Sequence, residues 1–457
     1  MKIGHLIGIA AALGALVLVE LYSSRKVKNA EDFDKGGGHS GIMLVCGALL
    51  GSLIGGQSTI GTAQLAYVYG LSAIWFTLGA ALGCIALFLG YVIPLRKSHD
   101  TTLMEVIGDE FGPGAEYIGS VLCSVGMIIS IISNVIASAA LIMAMTGCAL
   151  WVGCLVSVLL MCAYVVFGGV IGAGMGGIVK LILLYLTSII CIGLVIVMGM
   201  KGQTTALAEV HLSDLFARGV TKEICNCLSL ILGVLSTQTY AQAIWSARSY
   251  HVARKAALLS GILCIPVGFG GVLIGLAIRA QHLPNPAEAF PLFLLQNLPP
   301  IVGGLGVGAL LITVVTGGGG LALGVSTIFV RDILGRMKQE LMSGSAHIIA
   351  MRLTIAAVLG VTGLIAVMLP GAIINDLGFL SMGLRGSVIF VPLSLALFLK
   401  KRFRSEAIFA SMIAGPVALV LTELFSFGAE PLIVGVGVSL LICALGYKKP
   451  EREELSA

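Results

Sequence analysis

Two clusters of polar residues interrupt apolar segments of this chain, and their side chains are of the kind that binds small solutes. The first contains Gln57, Ser58 and Thr59 within a glycine-rich stretch, and the second runs from Ser236 to Gln242. In a bilayer every backbone polar group needs a partner, so helices are interrupted only where they line protein or a water-filled cavity. We therefore predict a broken helix at each cluster.

A broken helix offers backbone groups to ions and solutes. Freed carbonyls at the end of a half-helix suit a bare cation, and freed amides at the start of one suit an anionic or hydrogen-bonding solute. The uncharged candidates for solute contacts are Gln57, Ser58, Thr59, Ser236, Gln238 and Gln242. The alternative at the first cluster is that its glycines only allow close helix packing.

A second source of oxygen ligands lies in the ninth apolar span. Thr313 and Thr316 are three residues apart and therefore share one helix face. Hydroxyls there, with carbonyls from the first break, would form the all-oxygen shell that a hard cation prefers. The alternative is that each threonine bonds back to its own helix.

Lys180 and Arg385 are the basic residues that fall deep within predicted spans. A charge at that depth costs about 3 kcal/mol or more unless it is paired or hydrated. One hypothesis is that Lys180 approaches the cation position and supplies the charge by protonation; the alternative is that it snorkels or bonds free carbonyls.

Arg385 has a different candidate role. Its guanidinium fork matches the geometry of a carboxylate, which makes it a candidate contact for an anionic solute. The alternatives are an ion pair with Asp376 or Glu423, or a contact in a gate.

The elements that must position these residues are membrane helices. The chain has 58% hydrophobic and 11% charged residues, whereas about a quarter of the residues of a soluble protein are charged. Apolar runs of about 20 residues recur, without the alternation of barrel strands, and predict an all-helical integral membrane fold. The predicted spans number about thirteen, near 2–22, 40–69, 70–95, 115–146, 147–168, 170–200, 223–246, 252–280, 300–330, 346–370, 375–400, 406–427 and 430–447.

Charge and order of the spans predict the topology. Most of the 27 Lys and Arg residues fall in alternate loops, which places the N-terminus outside and the C-terminus in the cytoplasm of a multi-pass plasma membrane protein. Two sets of five spans then have opposite orientation, each led by a broken helix, as in inverted-repeat transporters. The predicted units are an extra helix and linker (1–39), a first repeat (40–200), an extracellular loop (201–222), a second repeat (223–400) and two final helices with a tail (401–457).

These features favour a secondary transporter over other classes. An enzyme would need a nucleophile with a base, or a metal-binding His and Asp pair, at depth, and the sequence has neither. A channel would repeat one pore ring across subunits, and it remains the less favoured alternative together with a uniporter or a receptor. The predicted partners are a small organic solute, Na⁺ or H⁺, and the bilayer; scattered basic residues do not indicate nucleic acid.

Several short motifs carry a resemblance to a known family. They are Glu31-Asp32-Phe33, the string from Gly51 through Gly61 to Tyr67-Val-Tyr-Gly-Leu, Phe167-Gly-Gly, Gln238 with Gln242, Ser326 to Asp332, and Pro392. In this order and spacing the chain resembles the sodium/solute symporter family, which includes sodium/proline and sodium/sugar cotransporters.

The resemblance implies a LeuT-type fold of two five-helix inverted repeats and Na⁺ as the ion that is bound. It places Na⁺ between the first break and the ninth span. The implied ligands are the carbonyls of Gly51, Ile54 and Thr313 and the hydroxyl positions Thr316 and Gly317.

This chain departs from the family pattern at several of these positions. Gly317 has no hydroxyl, the family's usual aspartate falls at Gly177, its glutamine falls at Lys180, and an arginine that often follows the second break is Ala243. The alternative reading is a proton-coupled or uncoupled transporter of the same fold in which Lys180 replaces the sodium ion.

Overall fold

The computed structural model describes residues 2–24, 39–98, 100–202, 204, 212–335, 344–425 and 428–448. Within these residues the structure is helical, and its β-pairing is confined to isolated bridges between Ser40 and Ala247 and between Phe403 and Tyr447. The motif Glu31-Asp32-Phe33 lies outside the described residues, as do the side chains of Phe167-Gly-Gly.

The described residues contain the following α-helices in chain order. They are α1 (Ile3–Ser24), α2 (Ile42–Leu53), α3 (Thr62–Tyr69), α4 (Ile74–Ala86), α5 (Val92–Ser98), α6 (Leu103–Phe111), α7 (Pro113–Thr146), α8 (Leu150–Met200), α9 (Val220–Leu235), α10 (Gln238–Ser246), α11 (Tyr250–Ile278), α12 (Ala289–Asn297), α13 (Pro300–Ile328), α14 (Gly344–Val367), α15 (Ile374–Arg385), α16 (Val391–Phe398), α17 (Ser405–Phe425) and α18 (Pro431–Leu445).

Length and apolar composition identify which helices can cross a membrane. Among the described residues eight helical stretches qualify, and the bent pair α9 and α10 makes a ninth. Four shorter apolar stretches lie at Ile3–Val19, Ile42–Leu53, Leu150–Val165 and Pro431–Leu445. The total of about thirteen spans stays a prediction.

The predicted spans correspond to recognisable helical stretches. Gly70 ends α3 with a φ of +71°, a value that glycine adopts readily, and so separates the predicted spans 40–69 and 70–95. The helix α8 runs without interruption from Leu150 to Met200, so the predicted spans 147–168 and 170–200 are not separated by a helix end; its two apolar parts are Leu150–Val165 and Gly174–Met200.

The outer surface of the bundle is apolar. Large hydrophobic side chains are exposed on many helices, and examples are Leu89, Leu155, Ile189, Leu364 and Leu441. A soluble protein rarely exposes so many, so this surface faces lipid. The polar side chains discussed below lie inside the bundle, where backbone groups freed by helix breaks need partners.

The short helix α6 begins at a T-x-x-E sequence pattern, Thr102 to Glu105, which is typical of a capping box. The Thr102 side chain accepts from the Glu105 amide, and the Glu105 carboxylate accepts from the Thr102 amide at 3.0 Å. This reciprocal capping box, typical of a helix start, begins α6.

Candidate functional site

The first predicted break is confirmed between α2 and a π-helical turn at Gln57–Gly61. Ile54 leaves the helical conformation directly after α2 ends at Leu53. The Ser58 hydroxyl donates to the Leu53 carbonyl at 3.0 Å, and the Thr59 hydroxyl donates to the Gly55 carbonyl at 2.9 Å. Two predicted solute contacts therefore use their protons to satisfy carbonyls that the break frees.

Lys180, on α8, reaches the end of α2 inside the bundle, where it is fully buried. Its Nζ donates to the carbonyl oxygens of Gly51, at 2.7 Å, and of Ile54. It also donates to Thr316 Oγ1 at 3.1 Å. An ammonium has three N–H donors and no acceptor, so these three oxygens satisfy it completely. The negative end of the α2 dipole adds to this stabilisation.

The Lys180 ammonium thus contacts three of the five positions that the resemblance assigns to Na⁺. This geometry agrees with the hypothesis that Lys180 approaches the cation position. It agrees equally with the alternative that Lys180 bonds free carbonyls. Any role of Lys180 in coupling stays a prediction.

Two glycines let the helices approach closely enough for this contact. A Cβ on Gly177 would lie 2.0 Å from the carbonyl oxygen of Gly47, and a Cβ on Gly317 would lie 2.8 Å from the Cα of Gly55. Both atoms belong to the backbone and cannot rotate away. The aspartate and the hydroxyl that the family pattern has at Gly177 and Gly317 therefore have no space in this packing.

The two threonines of α13 differ in their contacts. Thr313 Oγ1 donates to the Ala309 carbonyl of its own helix at 2.7 Å, which is the alternative that the sequence left open. Thr316 Oγ1 lies 3.3 Å from the Thr313 carbonyl and accepts from Lys180. Thr316 is therefore the hydroxyl that joins α13 to the first break.

Asn134 on α7 caps the second half of the broken helix, a role that the sequence analysis missed. Its Oδ1 accepts from the Gly56 amide at 2.8 Å, and its Nδ2 donates to the Ser130 carbonyl at 2.8 Å. Nearby, the Gln57 amide nitrogen donates to the hydroxyls of Ser130, at 3.0 Å, and Ser133. The one asparagine within the apolar run 113–146 was the available signal.

The second predicted break is also confirmed. α9 ends at Leu235, α10 begins at Gln238, and the two helices meet at an angle of 48°. Ser236 and Thr237 lie between them and are buried. The Ser236 hydroxyl has no hydrogen-bond partner among the described residues, and the side chain of the N-cap residue Thr237 does not cap α10.

Arg385, at the end of α15, packs against this break and is fully buried. Its Nη1 donates to Thr237 Oγ1 at 2.6 Å. Its other contacts are with the Ser381 carbonyl at 3.1 Å, the Ser381 hydroxyl at 2.9 Å and the Met382 sulfur at 3.2 Å. Of its five N–H groups, one on Nη1 has no acceptor among the described residues.

The predicted ion pairs of Arg385 do not form among the described residues. Asp376 instead binds Arg218 Nη1 at 2.9 Å, and Glu423 lines a separate cavity of about 440 Å³. Arg385 is therefore a buried positive charge that no carboxylate of the described residues neutralises.

The two glutamines after the second break bind other parts of the protein. Gln238 accepts from the Leu103 amide and donates to the Thr101 carbonyl, each at 2.9 Å. Gln242 donates to Thr327 Oγ1 at 2.9 Å. Each glutamine side chain thus already has a protein partner. Their role as solute contacts stays a prediction.

Asp332, another residue to which the sequence analysis assigned no role, links three elements through its side chain. Its buried carboxylate accepts from the hydroxyls of Thr102, at 3.1 Å, and Ser120, at 2.9 Å. These contacts join the start of α6, α7 and the π-helical turn after α13.

A second cluster of contacts is centred on Arg218. This side chain forms ion pairs with Glu223 and Asp376, each at 2.9 Å, and lies against the rings of Tyr69 and Phe379. Burial alone would lower the pKa of the Arg218 guanidinium, but the Glu223 and Asp376 carboxylates hold this pKa above its ordinary value. The contacts of Asp332 and of Arg218 thus each link residues of the first predicted repeat with residues of the second.

Two interrupted helices, one leading each half of a helical bundle, define a secondary transporter of the inverted-repeat class. The sequence profile of the sodium:solute symporter family matches residues 34–415, and the chain belongs to this family. Membership makes it a symporter that works by alternating access.

Individual relatives and a solved structure agree with this assignment. The high-affinity choline transporter 1 of Torpedo marmorata is 25% identical over 433 residues, covering 87% of this chain and 73% of the relative. Its Homo sapiens counterpart is 23% identical, with 84% and 71% covered. The structure of a Na⁺-coupled sialic acid symporter is 17% identical and superposes with a TM-score of 0.81 over 98% of this chain and 99% of that one. The fold is therefore of the LeuT type.

Proposed function

We propose that this symporter carries a small polar organic solute with a carboxylate group, which binds Arg385 at the second break. The observation that carries the proposal is a fully buried guanidinium with one N–H group free of acceptors among the described residues. A charge inside a membrane protein costs about 3 kcal/mol or more unless it is compensated. A solute carboxylate would supply the compensating charge.

Other groups at the second break support an anionic solute. The Tyr240 amide donates to the Thr237 carbonyl at 3.1 Å, but the amides before it in the first turn of α10 have no intrahelical acceptor, and a helix start carries a partial positive charge. The buried hydroxyl of Ser236 is also without a partner among the described residues. Guanidinium, amides and hydroxyl together offer the donors that a carboxylate prefers.

The relatives carry solutes of opposite charge, so they do not decide the solute of this chain. Choline is a cation, whereas sialic acid is an acid. A buried guanidinium repels a quaternary ammonium at short range and attracts a carboxylate. Arg385 therefore favours the acid for the second break of this chain.

The proposal extends to the ion and the membrane. Sodium, which the family description names, is the first coupling ion to test, and a proton is the alternative. We place the chain in the plasma membrane, with the N-terminus outside and the C-terminus in the cytoplasm, because its basic residues are enriched in alternate loops.

Uptake into proteoliposomes tests the proposal. A panel of labelled small carboxylic acids, with choline for comparison, is offered under a Na⁺ gradient, a proton gradient or no gradient. We expect one acid to accumulate against its own gradient, and we expect ionophores that collapse the driving gradient to abolish this. Accumulation of choline without any acid would contradict the proposal.

Variants of Arg385 test the assigned contact. Arg385→Gln should weaken affinity for the transported acid by about 10-fold to 100-fold, because a hydrogen bond to a charged group is worth about 1.5–3 kcal/mol. Arg385→Lys should retain part of the affinity. Arg254→Gln, which removes a cation lying 4.6 Å above the Phe88 ring, is the matched control and should leave affinity unchanged. Unchanged affinity of Arg385→Gln for every transported acid would exclude this site.

A further inference from the structure

We infer that the Lys180 ammonium is a built-in occupant of the cation position at the first break, so that Na⁺ does not bind to this set of oxygens. The inference concerns the ion, and it stands whether or not the solute is an acid. The inference differs from the family pattern, in which the resemblance implies that Na⁺ is bound by Gly51, Ile54, Thr313, Thr316 and Gly317.

The first step is that the same oxygens cannot hold two cations. Nζ donates to the Gly51 carbonyl at 2.7 Å, to the Ile54 carbonyl and to Thr316 Oγ1 at 3.1 Å. A sodium ion on these atoms would lie within a few ångströms of the ammonium. Two unit charges 4 Å apart repel each other by about 4 kcal/mol even at an effective dielectric constant of 20.

The second step is that the remaining ligand positions do not form a shell of their own. Gly317 offers no side-chain oxygen, and the Thr313 hydroxyl is directed to the Ala309 carbonyl at 2.7 Å. A side chain at Gly317 would collide with Gly55. The residues present therefore fit an ammonium with three donors and do not fit Na⁺ beside it.

The third step is that the protein stabilises the ammonium without a carboxylate. Lys180 forms no ion pair among the described residues, and its contacts are two carbonyls at the end of α2 and one hydroxyl. The end of a helix carries a partial negative charge, which is the environment that broken helices of transporters offer to coupling cations. Gly177 allows α2 to lie close enough for this contact, because a Cβ there would meet the Gly47 carbonyl at 2.0 Å.

The test is a comparison of thermal unfolding of the purified full-length protein in NaCl and in KCl at equal ionic strength, without solute. The unfolding midpoint in NaCl minus that in KCl should be the same for the wild type and for Thr316→Val, because Na⁺ does not bind to Thr316. In Lys180→Ala, the freed oxygens should accept Na⁺ and raise the unfolding midpoint by about 2 °C in a saturable manner. The double variant Lys180→Ala with Thr316→Val should lose most of this rise.

Two results would overturn the inference. One is a Na⁺-specific stabilisation of the wild type that Thr316→Val removes, because Na⁺ would then bind these oxygens beside Lys180. The other is the absence of any Na⁺-specific rise in a folded Lys180→Ala. Should that variant fail to fold, Lys180→Gln replaces it, and the wild-type comparison with Thr316→Val decides by itself. None of these measurements uses a solute, so they remain informative if acid uptake fails.

Discussion

The two breaks of this symporter each enclose a buried basic side chain, yet they differ in how fully that side chain is bonded. At the first break, three oxygens satisfy all three donors of the Lys180 ammonium. At the second break, Arg385 retains a free N–H group among the described residues, and the Ser236 hydroxyl there has no partner. The basic side chain at the first break has all its hydrogen bonds within the protein, whereas the second break has hydrogen-bond donors that are not used.

This difference in hydrogen bonding follows from the end of the half-helix that each basic side chain contacts. Lys180 lies at the carbonyl end of α2, which attracts a cation. Arg385 lies beside the amide start of α10, where helix and side chain are both positive and neither compensates the other. The protein therefore supplies the counter-charge at the first break and leaves that of the second break to a ligand.

The largest expected effect comes from disturbing the close approach at the first break. Gly177→Ala should lower the free energy of unfolding by about 3 kcal/mol, because the new Cβ meets the Gly47 carbonyl at 2.0 Å. Gly193→Ala, on the same helix and with open space around it, should gain up to about 1 kcal/mol. The midpoints of thermal unfolding measure both, and similar midpoints would argue against tight packing at Gly177.

The cap at the first break should give the next largest effect. Asn134→Ala leaves the buried Gly56 amide without its acceptor and removes one of the bonds to the Ser130 carbonyl, which keeps the Ser133 hydroxyl as a donor; this should cost about 2–3 kcal/mol. Ser138→Ala is the matched control, because its buried hydroxyl has no partner among the described residues, and it should change stability by less than about 0.5 kcal/mol. Equal unfolding midpoints for the two variants would contradict the assigned capping role.

At the second break, Thr237 is the protein's own acceptor for Arg385 Nη1. Thr237→Val removes this hydrogen bond to a charged group and should cost about 2 kcal/mol. Thr237→Ser keeps the hydroxyl and should cost clearly less. If an acid raises the unfolding midpoint of Thr237→Val more than that of the wild type, the free donors of Arg385 are open to a ligand. A larger rise with choline than with any acid would contradict this.

Much of this arrangement could be predicted from sequence because it depends on local composition. Both breaks follow from glycine and polar residues within apolar runs, and the capping box at Thr102 follows from a four-residue pattern. The proximity of Lys180 to Gly51 and Ile54 required the family pattern as well. That match supplied the tertiary contact that periodicity alone does not contain.

The contacts that sequence reasoning missed depend on how distant elements meet. An ion pair of Arg385 with Asp376 or Glu423 is one of the alternatives that the sequence leaves open, but Asp376 binds Arg218, whose position in a connecting segment no helical pattern fixes. Asn134 contacts Gly56 only because α7 packs against the first break, and the sequence does not show that packing. A polar residue in an apolar run indicates that a partner exists without identifying it.

The smallest expected effect compares one serine from each break. Ser58→Ala removes a hydrogen bond of 3.0 Å to the Leu53 carbonyl and should cost about 1 kcal/mol of stability with a secondary effect on transport. Ser236→Ala removes a hydroxyl without a partner, so stability should stay within about 0.5 kcal/mol while the affinity for the transported acid falls several-fold. Unfolding midpoints and uptake kinetics of the two variants provide the measurement. A Ser236→Ala variant that loses stability yet binds the acid normally would reverse the contrast, because the second break would then be as self-contained as the first.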